Sequence, residues 1–503
     1  QATNLNSTRA LFEQTVNVTT SGTSNLAPAV RGIDGTGPSQ GADAFLAGTR
    51  SRLNIQVDGR PVTYNEITFG NLGLWDVQQV EFFRGAQSTL QGRNAIAGTV
   101  IYKTNDPSFV REYAARLMLG NQQLRQVSAL ASGPIGDSGQ VAYRLTLDRQ
   151  SHESFVKGFV PVPGASNPGD FEAGSVRGKL LFKPDALPGF STLVTLTHTR
   201  STAPQTETVG RPFGDHVTNY PPMSVFSPRV TSAVIDTAWP LSERWTLENR
   251  IVAGDYEVHR FAQPADGTAL IDGHDYTLEP RLRYSAADNR WSAFVGLHIY
   301  RAKQHDTLDL FGGGAWDDRT RTNALYGEAT VALRPDLELT AGARYERENR
   351  FRQGSIPNPF NGGTFVTDLD ETYENLLPKL SLAWQTDADT TVGAAISLGY
   401  NGGNAGFAYA PPYTEYAYDS EHVTNYEAFV RKRMFDGRLR LTGNLFLSRY
   451  RNMQLPFDEN PDPAVWSYVV RNAPRAQTYG AEFGATWAAT RALSLSADIG
   501  LLH

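Results

Sequence analysis

The 503-residue chain contains no cysteine. Disulfide scaffolds, thiolate-bound zinc, iron–sulfur clusters and cysteine nucleophiles are therefore excluded. It contains no run of about 18 apolar residues, so it encodes no transmembrane helix. Basic charge is not in excess: 46 Lys and Arg stand against 52 Asp and Glu, a formal net charge of −6. A nucleic-acid-binding surface is not indicated. The chain starts at Gln1 without a methionine or a visible signal peptide, as expected for a processed or excised piece. The nine histidines show no HExxH or other zinc spacing, and no metal site is expected. Gly136–Gly139 reads GDSG, as in serine-protease nucleophile loops, but it lacks the following Gly-Pro. Asp-Ser-Gly is ordinary turn chemistry, and no catalytic constellation is expected.

Period-two alternation is present throughout. Val141, Tyr143, Leu145 and Leu147 alternate with Ala142, Arg144, Thr146 and Asp148. Leu337, Leu339, Ala341, Ala343 and Tyr345 alternate with Glu338, Thr340, Gly342, Arg344 and Glu346. Such strands have one apolar face and one polar face. A soluble β-sandwich also alternates, but three features favour an all-β transmembrane barrel. Full charges lie on the polar face, as a wet lumen permits. Aromatics such as Trp291, Tyr345, Tyr400, Tyr450 and Trp487 sit near strand ends, where membrane barrels carry aromatic girdles.

The third feature is the alternation of connection lengths. Short turn-like stretches occur at 133–139, 184–189, 239–243, 334–336, 386–390, 435–437 and 488–491. Between them lie stretches expected to be long loops, at 152–172, 202–228, 259–274, 304–319, 352–370, 401–420 and 454–466. Short turns on one side and long loops on the other are the mark of an outer-membrane barrel. About seventeen strands are expected from residue 112 onward. Bacterial barrels have even strand numbers, so further strands are expected beyond His503. Residues 1–108 alternate less and read as a separate small α/β domain; residues 109–503 read as the barrel.

Three segments carry a family resemblance. They are VRGIDGTGP (Val30–Pro38), VDGRPV (Val57–Val62) and DVQQVEFFRGAQSTLQGRNAIAGTVIYKTNDP (Asp76–Pro107). In order and spacing they resemble the plug domain of TonB-dependent outer-membrane receptors. Asn425–Pro456 and Tyr479–Trp487 resemble late barrel strands of the same family, and the iron-siderophore receptors look most similar. Ala86 stands where the family usually has Pro, and Gln91 where it often has Tyr.

The resemblance implies a barrel of 22 strands when complete, with residues 1–108 plugging its lumen. A lumen that wide cannot be filled by wall side chains, so it must be plugged or leak. The TonB box and the first part of the plug are expected before Gln1. The family commonly pairs two plug arginines with two lumen-facing glutamates, here Arg31 and Arg84 with Glu427 and Glu482. Their implied role is to latch plug to barrel. The implied protein is a monomeric, non-enzymatic receptor in the Gram-negative outer membrane, surrounded by outer-membrane lipid and driven by TonB and its inner-membrane motor. The implied ligand is a ferric siderophore. An oligosaccharide, cobalamin or haem would use the same architecture, and a passive porin would lack the plug. No cofactor is expected, since iron enters as part of the chelate.

The ligand is expected to rest on the plug apex beneath the long loops. Tyr64 and Phe69 lie in one candidate plug stretch, Phe311 and Trp316 in one loop, and Tyr409, Tyr413, Tyr416 and Tyr418 in another. Tyr and Trp offer rigid contact area with a polar handle. The alternative is that these rings belong to the girdle or to loop packing.

Overall fold

A computed structural model describes residues 8–20, 27–39, 48–70, 73–165, 167–288, 290–408, 410–462 and 467–503. Seventeen antiparallel strands follow one another round a barrel, from Glu112–Leu119 to Ser494–Leu502. The sequence expectation of about seventeen strands holds. An odd count leaves the first and last strands running in the same sense. They lie next to each other in the barrel order, and all of Ser494–Leu502 is exposed. Among the described residues, no helix is long and apolar enough to cross a membrane.

The N-terminal region forms a four-stranded sheet in the order Arg60–Pro61, Leu53–Val57, Gly98–Thr104, Val77–Arg84. Its central pair, Leu53–Val57 and Gly98–Thr104, is parallel. A parallel pair needs a crossover, and this one contains the helices Tyr64–Phe69 and Ser88–Gln91. Thr63 and Glu66 close a capping box on the first helix. Phe12, Val30, Ile33, Leu53, Ile96 and Val100 form the core of this region. The core continues into the barrel wall through Val423, Tyr450 and Met453, so the domain is seated in the lumen. The last strand of this sheet ends at Thr104, and the first barrel strand begins at Glu112.

The outward face carries an apolar band. On Trp291–Asp309 it runs Trp291, Ala293, Val295, Leu297, Ile299; on Gly314–Arg334 it runs Leu333, Val331, Ala329, Gly327, Leu325. Trp239, Trp245, Trp291, Tyr345, Trp384 and Trp487 are exposed at its margins, as in an aromatic girdle. Tyr400 and Tyr450 are not part of it. Both point inward and are buried, and the Tyr400 hydroxyl donates to Glu346 Oε1 at 2.5 Å.

Two further expectations change. The stretches 259–274, 304–319 and 352–370 are mostly strand, with connections of only 262–267, 310–313 and 358–363. Strands such as Gly314–Arg334 and Thr364–Asp387 have 21 and 24 residues, against roughly 10 needed to span a membrane. Above the apolar band the outward face turns charged, so the alternation fades while the hydrogen-bonded ladder continues. The lumen is also drier than expected. Arg344, Glu346, Glu348, Arg350 and Arg352 are all buried along one strand. Charges removed from water in this way need partners.

Candidate functional site

The structure brings Arg31, Arg84, Glu427 and Glu482 together. Arg31 follows the strand Ala29–Val30 at a positive φ of 50°, and its backbone N–H donates to Asn17 O at 2.7 Å. The guanidinium then meets Glu482 through two bonds, Nε to Oε1 and Nη2 to Oε2, both 3.0 Å. Its Nη1 donates to Glu427 Oε1 at 2.6 Å, and its Cζ lies 4.1 Å from the Phe446 ring centre. Arg84 Nη1 reaches Glu482 Oε2 at 3.1 Å. Burial lowers the Arg31 pKa, but the two carboxylates outweigh it and the net shift is upward. Arg84 is lowered by burial, which Glu482 restores only in part. Gly85 holds the strand end against this cluster. Its φ is +79°, and a Cβ would come within 2.8 Å of Asn425 Nδ2 and 3.0 Å of Glu427 Oε1.

Other plug-to-wall ion pairs were not legible in the sequence. Arg52 donates Nε and Nη2 to the two Glu421 oxygens at 2.7 and 2.8 Å, with both side chains almost fully buried. Asp76 takes Arg144 Nε at 2.8 Å. Asp58 lies 3.4 Å from Lys179 Nζ. Arg60 is clamped by both Glu66 oxygens at 2.9 Å and faces Asp275 at 3.5 Å. The barrel half of each pair could be read from its inward parity. The plug half could not, because its loops have no periodicity.

Above the plug lies a cavity of about 150 Å³. Its walls carry four guanidinium groups, Arg50, Arg93, Arg350 and Arg352, and two carboxylates, Asp306 and Asp318. Arg352 pairs with Asp318 and lies 3.4 Å from Asp306. Arg50 reaches Glu348 only at 3.8 Å. Arg93 stacks 3.7 Å over the Tyr300 ring. Arg350 Nη1 donates to the backbone carbonyl of Gly403 at 2.5 Å. Among the described residues, Arg93 and Arg350 form no ion pair. Burial, and then repulsion by Arg350, push the Arg50 pKa down to about 10. The loop 402–420 meets the rim of this cavity through Gly403 and Asn404, which contact the lining residues Arg350 and Gly48. It carries a small hairpin, Asn404–Phe407 with Glu415–Tyr418, and Asn404 bonds Gly48 O of the plug.

The aromatic candidates divide between these places. Tyr64 lines the cavity, and its hydroxyl contacts Ser39 O at 3.4 Å. Tyr418 is buried in the hairpin, with Tyr416 stacked against it at 6.4 Å. Phe311, Trp316 and Tyr413 belong to a separate aromatic cluster with Phe360, Phe365 and Phe407. Trp316 is only 1% exposed, packed by Phe407. Tyr409 and the Phe69 side chain lie outside the described residues. The arginines of the cavity were missed. Their signal was a run of inward-parity charges, Arg344 to Arg352, continuing past the membrane level.

Comparison with known proteins agrees with this architecture. The model of the TonB-dependent receptor plug domain matches residues 1–99, and the model of the TonB-dependent receptor-like β-barrel matches 181–501. The pesticin receptor of Yersinia enterocolitica is 24% identical over 460 residues, covering 86% of this chain and 64% of the receptor. The chain thus spans somewhat under two thirds of that relative's length. The vitamin B12 transporter BtuB of Vibrio vulnificus is 32% identical over 143 residues, 27% of this chain and 23% of the transporter. The solved structure of the ferric yersiniabactin uptake receptor FyuA from Yersinia pestis superposes with a TM-score of 0.82 at 18% identity, covering 99% of this chain and 76% of that one. With the barrel model matching well over half its length, the chain belongs to the TonB-dependent receptor family of the outer membrane.

Proposed function

We propose that this protein is an active-transport receptor that binds a ferric siderophore and passes it inward when TonB pulls on the plug. The observation that carries the reading is the surplus of guanidinium charge at the plug apex. Two arginines without ion pairs and a third with a depressed pKa favour an anionic ligand. Ferric chelates bearing carboxylates supply such charge, and Arg matches carboxylate geometry in two-point contacts. The name of the FyuA structure, ferric yersiniabactin uptake receptor, supports the same class. The cavity is smaller than the roughly 300 Å³ of ordinary ligand sites, so it serves as the floor of the site. The loop 402–420 must lift, releasing Arg350 from Gly403, to admit a chelate. The ion pairs beneath hold the plug in place until it is pulled. The protein needs no catalytic group for this task.

A second reading, cobalamin uptake, is favoured by the BtuB match over 143 residues. Uptake of radiolabelled iron chelates by cells expressing the receptor distinguishes the two. Chelate uptake that disappears when TonB is deleted supports the first reading. Corrinoid uptake without chelate uptake supports the second.

A further inference from the structure

We propose that the outer wall of the barrel carries a binding site for a phosphate-bearing lipid headgroup of the outer leaflet, formed by Arg301, Lys303, Arg319 and Arg321. These residues lie on two neighbouring strands, Trp291–Asp309 and Gly314–Arg334, on the outward face. Their register places Arg301 opposite Arg321 and Lys303 opposite Arg319. The four cations therefore form a square. Like charges directly opposite each other across a ladder are destabilising. Among the described residues, none of the four has an ion pair. This contrasts with nearby outward charges, where Arg347 lies 3.5 Å from Glu374 and His305 lies 2.8 Å from Asp317.

Two of the four cations are held in place by contacts on the wall. Arg301 Nη1 donates to the carbonyls of Tyr300 and Thr322 at 2.7 and 2.9 Å, and its Nη2 donates to Asn323 Oδ1 at 2.8 Å. The Arg319 guanidinium carbon lies 3.8 Å from the centre of the Phe351 ring. The square's height on the wall identifies the occupant. Arg301 is the next outward residue after Ile299, the last of the apolar band on its strand. Cations directly beyond the hydrocarbon level meet lipid headgroups. The two strands rise from there to the connection 310–313, on the side of the long loops 154–169 and 402–420, which in this class of barrel faces outward. Four unpaired cations on two strands suit more than one phosphate, so a lipid with two phosphate monoesters fits better than one with a single diester.

The test uses the protein folded in detergent and transferred to nanodiscs of phosphatidylcholine doped with either phosphatidylglycerol or diphosphorylated lipid A. Lipid bound to the protein is quantified by native mass spectrometry. The Arg301→Gln, Lys303→Gln, Arg319→Gln and Arg321→Gln changes are made singly and together. Each neutralised cation is expected to weaken retention of the diphosphorylated lipid about fivefold. Arg149→Gln, at a wall position where Arg149 faces Glu172 at 3.6 Å, should leave retention unchanged. Correct folding of each variant is checked by heat-modifiable gel migration. Equal retention by the fourfold variant and the parent overturns the site. So does equal retention of phosphatidylglycerol and the diphosphorylated lipid at matched total charge, which would mean a diffuse surface effect.

Discussion

The Arg31 guanidinium spans both carboxylate oxygens of Glu482 at 3.0 Å, joining the plug to the second-last strand of the barrel. Arg84 meets the same carboxylate through one bond and is 27% exposed on its side chain, against 4% for Arg31. Breaking a buried pair leaves an uncompensated charge and costs roughly 3 kcal/mol or more, while partly exposed pairs contribute about 1 kcal/mol or less. Arg31→Ala should therefore loosen the plug much more than Arg84→Ala. Hydrogen exchange at the plug amides checks this. Equal protection in both variants would contradict the latch.

Arg52 and Glu421 form a second junction, independent of the first. Glu421→Gln should raise plug exchange by an amount corresponding to about 3 kcal/mol, since Arg52 has no exposed alternative. The double change Arg52→Met with Glu421→Leu should cost less than either single charge removal. A double-mutant cycle measures the coupling, and a coupling near zero would rule the junction out.

Phe407 covers Trp316 from the loop above, with ring centres 6.2 Å apart. Deleting residues 403–418 should leave the barrel heat-modifiable but expose Trp316, shifting tryptophan emission to longer wavelength. The same deletion should abolish ligand binding. Unchanged uptake by the deletion variant would place the binding site elsewhere.

Arg50 gives a pH signature. Burial and Arg350 hold its pKa near 10, below the ordinary arginine value. The unfolded chain thus keeps this proton at a pH where the folded protein has lost it. The stability contribution of the group therefore rises with pH above about 10. A bound anion reverses the depression, so binding near pH 10 must take up a proton and affinity must fall as pH rises further. Calorimetry in two buffers of different ionisation enthalpy measures the uptake. No uptake, or uptake unchanged in Arg50→Gln, would remove Arg50 from the site.

The barrel was legible because its signal is a parity. Alternate residues face lipid, and the rule holds on strand after strand from Val141 to Leu501. The rule failed above the membrane, where Asp317, Arg319 and Arg321 replace apolar residues while the ladder continues. It also misassigned Tyr400 and Tyr450, whose aromatic character suggested a girdle but whose place on the inner face buries them. The grouping of Arg31, Arg84, Glu427 and Glu482 was expected from the family resemblance, not from periodicity. The cavity arginines were hidden because Arg50 and Arg93 lie in irregular plug segments. Their convergence with Arg350 depends on how the plug seats, a relation between residues some 300 positions apart.

The most direct test is a fluorescence titration of the folded receptor with anionic ferric siderophores, their iron-free forms, cobalamin and oligosaccharides, following tryptophan quenching. Tight, saturable quenching by a ferric chelate, weakened tenfold or more in Arg350→Gln, is the expected result. Quenching by a corrinoid or a sugar with none by any ferric chelate would contradict iron as the cargo, while leaving the plugged barrel intact.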